Sequence, residues 1–280
     1  MNTIAVFFNP HIAPAHTLAN EIITWTANRG WGSNAWPISD GLNDKVWQDA
    51  DYIVTLGGDG SILRAAHLAA PHGIPLLGIN LGRVGFLTES TPETWRAALS
   101  QVMAGRYWIE ERMMLHVVAR REGKVLAQAE ALNDVVTGRG ARAQVVHLHV
   151  HIDGGRLATY VADGLIVATP TGSTAYALAA GGPILPPQLR NILLVPVAPH
   201  LSMERPLVLD EGVTVNLTVA GRRPAVLTVD GAVQAELQAD DEVIVAASKH
   251  LARFARVQER AYFYKTLLSR LSPRDGDSDG

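Results

Sequence analysis

At 280 residues the chain is long enough for two domains, each with a core of its own. Its 48% apolar content, mean hydropathy of +0.10 and formal charge of -3 exclude a strongly basic field for nucleic acid and a strongly acidic one for cationic partners. No apolar run approaches the roughly 20 residues needed to span a bilayer, and the absence of cysteine excludes a disulfide framework and thiolate zinc ligation, so a cytoplasmic protein is expected.

Thr3 to Phe8 reads as a buried strand, entered too directly for a secretory leader to precede it. A helix is expected from about Thr17 to Arg29, with Leu18, Ile22 and Trp25 on one face and Gly30 as terminator. Residues 31–49, broken by Pro37 and Gly41, read as irregular. Tyr52 to Leu56 is an apolar strand of the kind buried inside a parallel sheet. It runs into Gly57-Gly58-Asp59-Gly60, and a helix begins at Ser61. The glycines let backbone amides face a ligand, and the helix N-terminus attracts anions, so phosphate is the natural guest. Asp59 is out of place in a pure phosphate cradle. It makes sense if it faces a hydroxyl that attacks phosphorus, or if it helps hold magnesium; the plainer alternative is that it caps the helix. Neither the G-x-x-x-x-G-K-[ST] phosphate loop nor the third glycine of the dinucleotide fingerprint is present, since Leu63 stands in that place.

Ile74 to Ile79 is the next strand, and this alternation implies a parallel sheet with helices on both faces. The stretch Asn80 to Leu87, with two glycines and Arg83, is either a second ligand loop or a plain turn. Thr91 and Pro92 announce a helix that Gly105 ends. From about Tyr107 the period changes to two. Strand-like runs follow at 113–121, 124–132, 144–152, 156–161, 192–197, 213–219, 225–229, 242–246 and 251–257, with hairpin signals at Glu122-Gly123 and Asp153-Gly154-Gly155.

Asn133-Asp134 places a carboxamide and a carboxylate where a strand meets a loop, which is chemistry for a base edge or ribose hydroxyls and equally for a turn. Residues 162–186 run from a strand that Asp163 precedes, through Thr169-Pro-Thr-Gly-Ser-Thr-Ala-Tyr176, into a helix of small residues. Small side chains let a flat ligand reach the backbone; Thr171, Ser173 and Thr174 offer hydroxyls and Tyr176 a ring or a phenol. His147, His149 and His151 alternate with apolar residues and read as a solvated strand face more readily than as metal ligands. Trp25 and Trp95 read as core, Arg222-Arg223 as a solvated turn, and Asp230-Gly231 as a hairpin turn.

Gly57-Gly-Asp-Gly60, Asn133-Asp134, Asp163-Gly164 and Thr169 to Tyr176, in this order and at these separations, closely resemble the NAD kinases over nearly the whole chain, to about Tyr264. The glycine turn alone is shared with diacylglycerol, sphingosine and phosphofructokinase relatives; the Thr-Pro-Thr-Gly-Ser-Thr-Ala-Tyr block makes the resemblance specific. It implies an α/β, Rossmann-like N-terminal domain plus a β-rich C-terminal domain. It also implies transfer of a phosphoryl group from ATP or inorganic polyphosphate to the 2′-hydroxyl of the adenosine ribose of NAD, giving NADP, with a divalent metal ion, Mg2+, as cofactor. Homodimers or homotetramers are implied, a neighbouring subunit contributing to the NAD site, and likeness to relatives with an acidic residue near this position implies that Asp230 contacts the NAD of a neighbouring subunit.

Carried over by position, Asp59 is the catalytic residue and touches the attacking hydroxyl, while Gly57, Gly58 and Gly60 hold donor phosphates. NAD is bound by Asp59, Gly60, Arg64, Asn133, Asp134, Asp163, Thr174, Ala175, Tyr176, Ala177, Leu178 and Ala179. The chain departs from the family in carrying Asp134 where a glutamate is usual, which shortens that carboxylate by one methylene; no role attaches to Gln144. The expected division is an α/β domain over 1–105, a β-rich NAD-binding domain over 106–257, a segment 258–271 packing back on the first domain, and a disordered polar tail over 272–280. Two other functions share some of these features. A lipid or sugar kinase would share the glycine turn but has no use for residues 162–176, and a dinucleotide sensor has no need of Asp59.

Overall fold

A computed structural model describes residues 2–38, 46–82, 85–140, 144–200, 203–221 and 223–271. Arg83, Arg222 and the tail 272–280, each given a reading above, lie outside the described residues. The chain divides into two compact units: residues up to Glu110 together with those from Arg253 onward, and Glu111–Ala252.

The first unit is α/β. Strands β1 (Thr3–Phe8), β2 (Gly32–Pro37), β3 (Tyr52–Gly57) and β4 (Leu76–Asn80) lie in the order β2-β1-β3-β4, all parallel. Helices α1 (Ala13–Ala27) and α3 (Trp95–Met103) cover one face, where Leu18, Ile22, Trp95 and Leu99 join Val6, Val54, Leu56 and Ile79 in one core. Helix α2 (Asp59–Ala69) buries Ile62, Ala65, Ala66 and Ala69, and Ile62 fits against Gly78 of β4, where a Cβ would collide with it. Trp25 and Trp95 meet edge to face at 5.4 Å, as core aromatics. The sheet order reverses direction between β1 and β3, so the crevice for a ligand lies at the carboxyl ends of those two strands.

The second unit is β-rich. One sheet has six strands in the order β12 (Leu207–Asp210), β11 (Asn191–Val197), β10 (Gly164–Ala168), β7 (Asp134–Arg139), β14 (Ala225–Val229), β15 (Ala232–Leu237). Against it lie β9 (Gly155–Ala162), β8 (Val146–Ile152), β13 (Val215–Ala220) and β16 (Glu242–Arg256), with the hairpin of β5 (Trp108–Arg121) and β6 (Lys124–Ala131) paired to β16. Alternate residues of both sheets, among them Val117, Val135, Leu148, Val150, Leu165, Leu194, Leu217, Leu227 and Val243, make a shared core. The hairpin turns at Glu122-Gly123, Asp153-Gly154 and Asp230-Gly231 each have two successive residues with φ between 47° and 81°, the geometry of a type I′ turn. A short helix α5 (Tyr262–Leu271) follows β16 and belongs to the first unit. Among the described residues no helix is long and apolar enough to cross a membrane.

Several local expectations are corrected. Residues 32–37, read as irregular, form strand β2, because parallel pairing with β1 overrides the weak β-propensity of Gly-Ser-Asn-Ala-Trp-Pro. Helix α1 starts at Ala13, where Pro14 suits a first helical turn, and α3 starts at Trp95 because Thr91 to Thr94 close a separate turn through Thr94 Oγ1. The two runs 242–246 and 251–257 are one fifteen-residue strand. Strands β7, β12 and β15 were not expected, and the small-residue helix after Thr174 is a single turn, α4 (Tyr176–Ala179).

Candidate active site

Strand β3 delivers Gly57 to the crevice end of the sheet, opposite Asn80 of β4. Gly57 has φ 156°, and a Cβ on it would collide with the Ser61 hydroxyl, so the strand can pass into α2 this tightly only through glycine. Ser61 is also tied to Asn9, which follows β1 and donates from Nδ2 to Ser61 Oγ at 3.2 Å. Gly58 is the N-cap of α2 and makes no side-chain cap, leaving the first amides of an eleven-residue helix available to an anion. Asp59 is the first helical residue but does not cap its own helix. Its Oδ2 accepts from the Phe86 amide at 2.9 Å and its Oδ1 from the Leu87 amide at 3.3 Å. Gly85 lies flat against this carboxylate, since a Cβ there would overlap both carboxylate oxygens. Each oxygen keeps a second lone pair for another donor, so the acid is oriented without being saturated. Gly60 is exposed at the same end of α2, and Arg64 is exposed one turn later.

In the second unit Asn133 follows β6 and Asp134 opens β7, and the Asp230 carboxylate fixes their backbone. Its oxygens accept from the amides of Leu132, Asn133 and Asp134 at 2.8, 2.8 and 2.9 Å. Asp134 is 94% buried, being only 6% exposed, and its carboxylate has no side-chain hydrogen bond among the described residues. Burial, together with the nearby charge of Asp230, pushes its pKa up to about 7.

The Thr169–Tyr176 turn is built on Asn133. Thr169 Oγ1 donates to the Leu132 carbonyl at 2.5 Å and accepts from the Gly172 amide at 3.1 Å, while the Thr169 amide donates to the Asn133 carbonyl at 2.9 Å. Gly172 packs directly on the Asn133 backbone, with room for no Cβ. The serine and threonine hydroxyls are mostly spent on this architecture. Ser173 Oγ, fully buried, donates to the Pro170 carbonyl at 2.6 Å and accepts from the Leu185 amide at 2.9 Å, and Thr174 Oγ1 donates to the Thr171 carbonyl at 3.1 Å. Thr171 Oγ1, buried, has no hydrogen-bond partner among the described residues.

A cleft of about 390 Å³ opens beside this turn, lined by Val136, Gly138, Arg139, Gly140, Asp163, Gly164, Tyr176, Val197, Val226 and Thr228. Asp163 and Arg139 pair across it at 3.3 Å with roughly a third of each side chain exposed, 31% and 38%. The backbones of β7 and β10 come close there: a Cβ on Gly138 would lie 3.3 Å from the Asp163 carbonyl, and one on Gly164 3.1 Å from the Gly138 Cα. Tyr176 is exposed and lines the cleft; Thr174, Ala175, Leu178 and Ala179 follow the same turn outside its lining, and the Ala177 methyl packs inward with Ile166, Leu193 and Val195.

Of the residues singled out from sequence, Gly57, Gly58, Asp59, Gly60 and Arg64 therefore cluster at one strand end in the first unit. In the second, Asp163 and Tyr176 line the cleft at one end of the paired strands β7 and β10, while Asn133 and Asp134 lie at the other end, where Asp134 pairs with Ala168. Sequence reading missed the amides of Phe86 and Leu87, the anchoring role of Asp230, and Arg139. Only Gly85, within a stretch already suspected of ligand contact, carried a signal for the first; Arg139 sits in a strand that sequence did not reveal. Among the described residues no three histidine, aspartate or glutamate side chains are grouped to hold a metal ion.

Comparison with known proteins accords with these two groupings. Residues 4–107 match the family model described as the ATP-NAD kinase N-terminal domain, and residues 132–257 match the ATP-NAD kinase C-terminal domain. The NAD kinase of Chloroflexus aurantiacus is 40% identical over 273 residues, covering 97% of this chain and 99% of its own length. That of Heliobacterium modesticaldum is 46% identical over 274 residues, covering 94% and 96%. Two crystal structures share the fold at 24% identity. Yeast NADH kinase complexed with NADH has a TM-score of 0.82, covering 98% of this chain and 89% of its own. An NAD kinase from Archaeoglobus fulgidus in complex with ATP has a TM-score of 0.78, covering 96% and 100%. The chain belongs to the NAD kinase family.

Proposed function

We propose that this NAD kinase transfers the terminal phosphoryl group of ATP, or of inorganic polyphosphate, to the 2′-hydroxyl of the adenosine ribose of NAD, with Asp59 orienting that hydroxyl. The observation that carries the proposal is the Asp59 carboxylate. It is held by two backbone amides at a glycine turn on a helix N-terminus, with a lone pair left on each oxygen. A carboxylate is too weak a base to ionise a sugar alcohol before attack, and phosphoryl transfer passes through a loose transition state that asks little of a base. Asp59 therefore acts chiefly by alignment, accepting the proton late. Alignment of bound reactants can contribute about 7–11 kcal/mol, against roughly 3–5 kcal/mol for a positioned base.

In this reading Gly57, Gly58 and Gly60 present amides to the donor phosphates, and Arg64 reaches toward donor or NAD. Asn133 and Asp134 read the adenosine end of NAD, Asp163 its ribose, and the Thr174–Ala179 turn supplies backbone and the ring of Tyr176. The chemistry suits Mg2+, which takes few protein ligands and is held largely by phosphates and water, so Asp59 is the one side chain at the turn placed to contribute. When bound, the ion neutralises phosphate charge. The protein is proposed to work in the cytoplasm as a homodimer or homotetramer. Incubating the purified protein with NAD, Mg2+ and either ATP or polyphosphate tests the assignment. NADP formation with at least one donor is expected, and its absence with both, in protein that binds NAD, would refute it.

A further inference from the structure

The loop that holds Asp59 is itself held from behind. Arg256 Nη1 donates to the carbonyls of Leu87 and Thr88 at 3.3 and 3.2 Å, and Leu87 is the residue whose amide reaches Asp59. Arg256 is fully buried and paired with two carboxylates whose side chains are also fully buried: Nη1 with Glu89 Oε2 at 3.0 Å and Nη2 with Glu110 Oε2 at 2.8 Å. Glu89 Oε1 in turn accepts the amides of Val257 and Gln258 at 2.8 Å each, and the Tyr262 hydroxyl donates to Glu110 at 3.0 Å. Beyond Thr88 the chain is pinned to β4, where the amides of Glu89 and Ser90 donate to the Gly78 carbonyl at 2.9 and 3.2 Å. Residues 85–88 are anchored by Arg256, by Asp59 and by the Thr88 hydroxyl, which donates to the Gly85 carbonyl at 3.1 Å.

Buried ion pairs are poor contributors to stability compared with apolar packing of the same volume, because desolvation offsets the attraction. Two carboxylates and one guanidinium at zero exposure call for a geometric reason, and Leu87 supplies one. We infer that Arg256 is a positioning residue for Asp59: by fixing the carbonyls of Leu87 and Thr88 it fixes the amides that aim the carboxylate. The inference rests on the orienting role given to Asp59 above. The guanidinium serves two carbonyls and Glu89 from Nη1 and Glu110 from Nε, donors held at a fixed separation that a lysine ammonium cannot reproduce.

The test is a double-mutant cycle between Arg256→Lys and Asp59→Asn, with kcat and KM measured for NAD and the Phe86 and Leu87 amides followed in proton–nitrogen correlation spectra. Misplacing a catalytic group by about 1 Å can cost on the order of 10²-fold, so Arg256→Lys is expected to lower kcat by that order with KM for NAD nearly unchanged. Both amide resonances should move, and Arg256→Lys should cause no further loss in the Asp59→Asn background. Multiplicative losses in the double variant, or unmoved amides, would overturn the inference. If Arg256→Lys does not fold, Glu89→Gln, which loosens the guanidinium while keeping its own shape, is held to the same criteria. Full turnover by Asp59→Asn alone would instead refute the role of the acid; loss in that variant with multiplicative behaviour in the pair refutes only the role of Arg256.

Discussion

Asp134 gives the sharpest prediction about energetics. It is buried, has no side-chain partner among the described residues, and lies near the Asp230 carboxylate, so its pKa is pushed up to about 7 from the ordinary 3.8. A carboxyl whose pKa is raised by folding binds its proton more tightly in the native state than in the unfolded one, so stability falls as pH rises. The penalty is absent below about pH 4, grows between roughly pH 4 and 7, and is fully present above pH 7, where it amounts to about 4 kcal/mol. Asp134→Asn removes the ionisation and keeps the shape. The variant should match the parent in urea unfolding at about pH 3 and exceed it progressively, by several kcal/mol at about pH 8, while binding NAD more weakly. Parallel stability curves for the two proteins across that range would refute the reasoning. Such a gain would mark Asp134 as a residue kept for its ligand at the expense of the fold.

Three other outcomes follow from particular contacts. Gly172→Ala forces the Thr169–Tyr176 turn off the Asn133 backbone, and should weaken NAD binding, measured by calorimetry, on the order of 10²-fold by the same displacement argument. Tyr176→Ala should cost about 1–3 kcal/mol of NAD affinity if its exposed ring stacks on a base, and Tyr176→Phe almost none; equal losses would show that the phenol matters instead. Burial alone would raise the pKa of Glu130, but hydrogen bonds from Ser248 and His250 and the charges of His250 and His116 hold it below the ordinary value. Its contribution is present above the usual carboxylate pKa and lost as pH falls through the lowered one, so Glu130→Gln should flatten the acid side of the melting-temperature profile.

The strand–glycine–helix unit at Gly57 to Ser61 was legible because its residues have local reasons: an apolar strand, a Gly57 with no room for Cβ, and a helix start. The same holds for the I′ hairpins, whose Glu-Gly and Asp-Gly pairs demand positive φ. What was not legible depends on partners distant in sequence. Strand β2 exists because β1 is beside it, and β16 continues through polar Ser248 and His250 because Glu130, more than a hundred residues earlier, accepts from both at 2.7 and 2.9 Å. Asp230 looked like turn chemistry, which it is, yet its carboxylate also sets three amides around Asn133. At the site, the residue types were readable while their division of labour was not. Ser173 and Thr174 looked like ligand donors and are spent on the turn, and Asp59, for which a helix cap was the plainer alternative, accepts from the amides of Phe86 and Leu87 instead.

The central claim is that the Asp59 carboxylate aligns the ribose hydroxyl. A single-turnover experiment, with excess enzyme preloaded with saturating NAD and mixed rapidly with limiting donor, measures the transfer step apart from product release. The account predicts that Asp59→Asn slows this step by at least about 10²-fold while leaving the dissociation constant for NAD close to that of the parent. An unchanged transfer rate in that variant would contradict it.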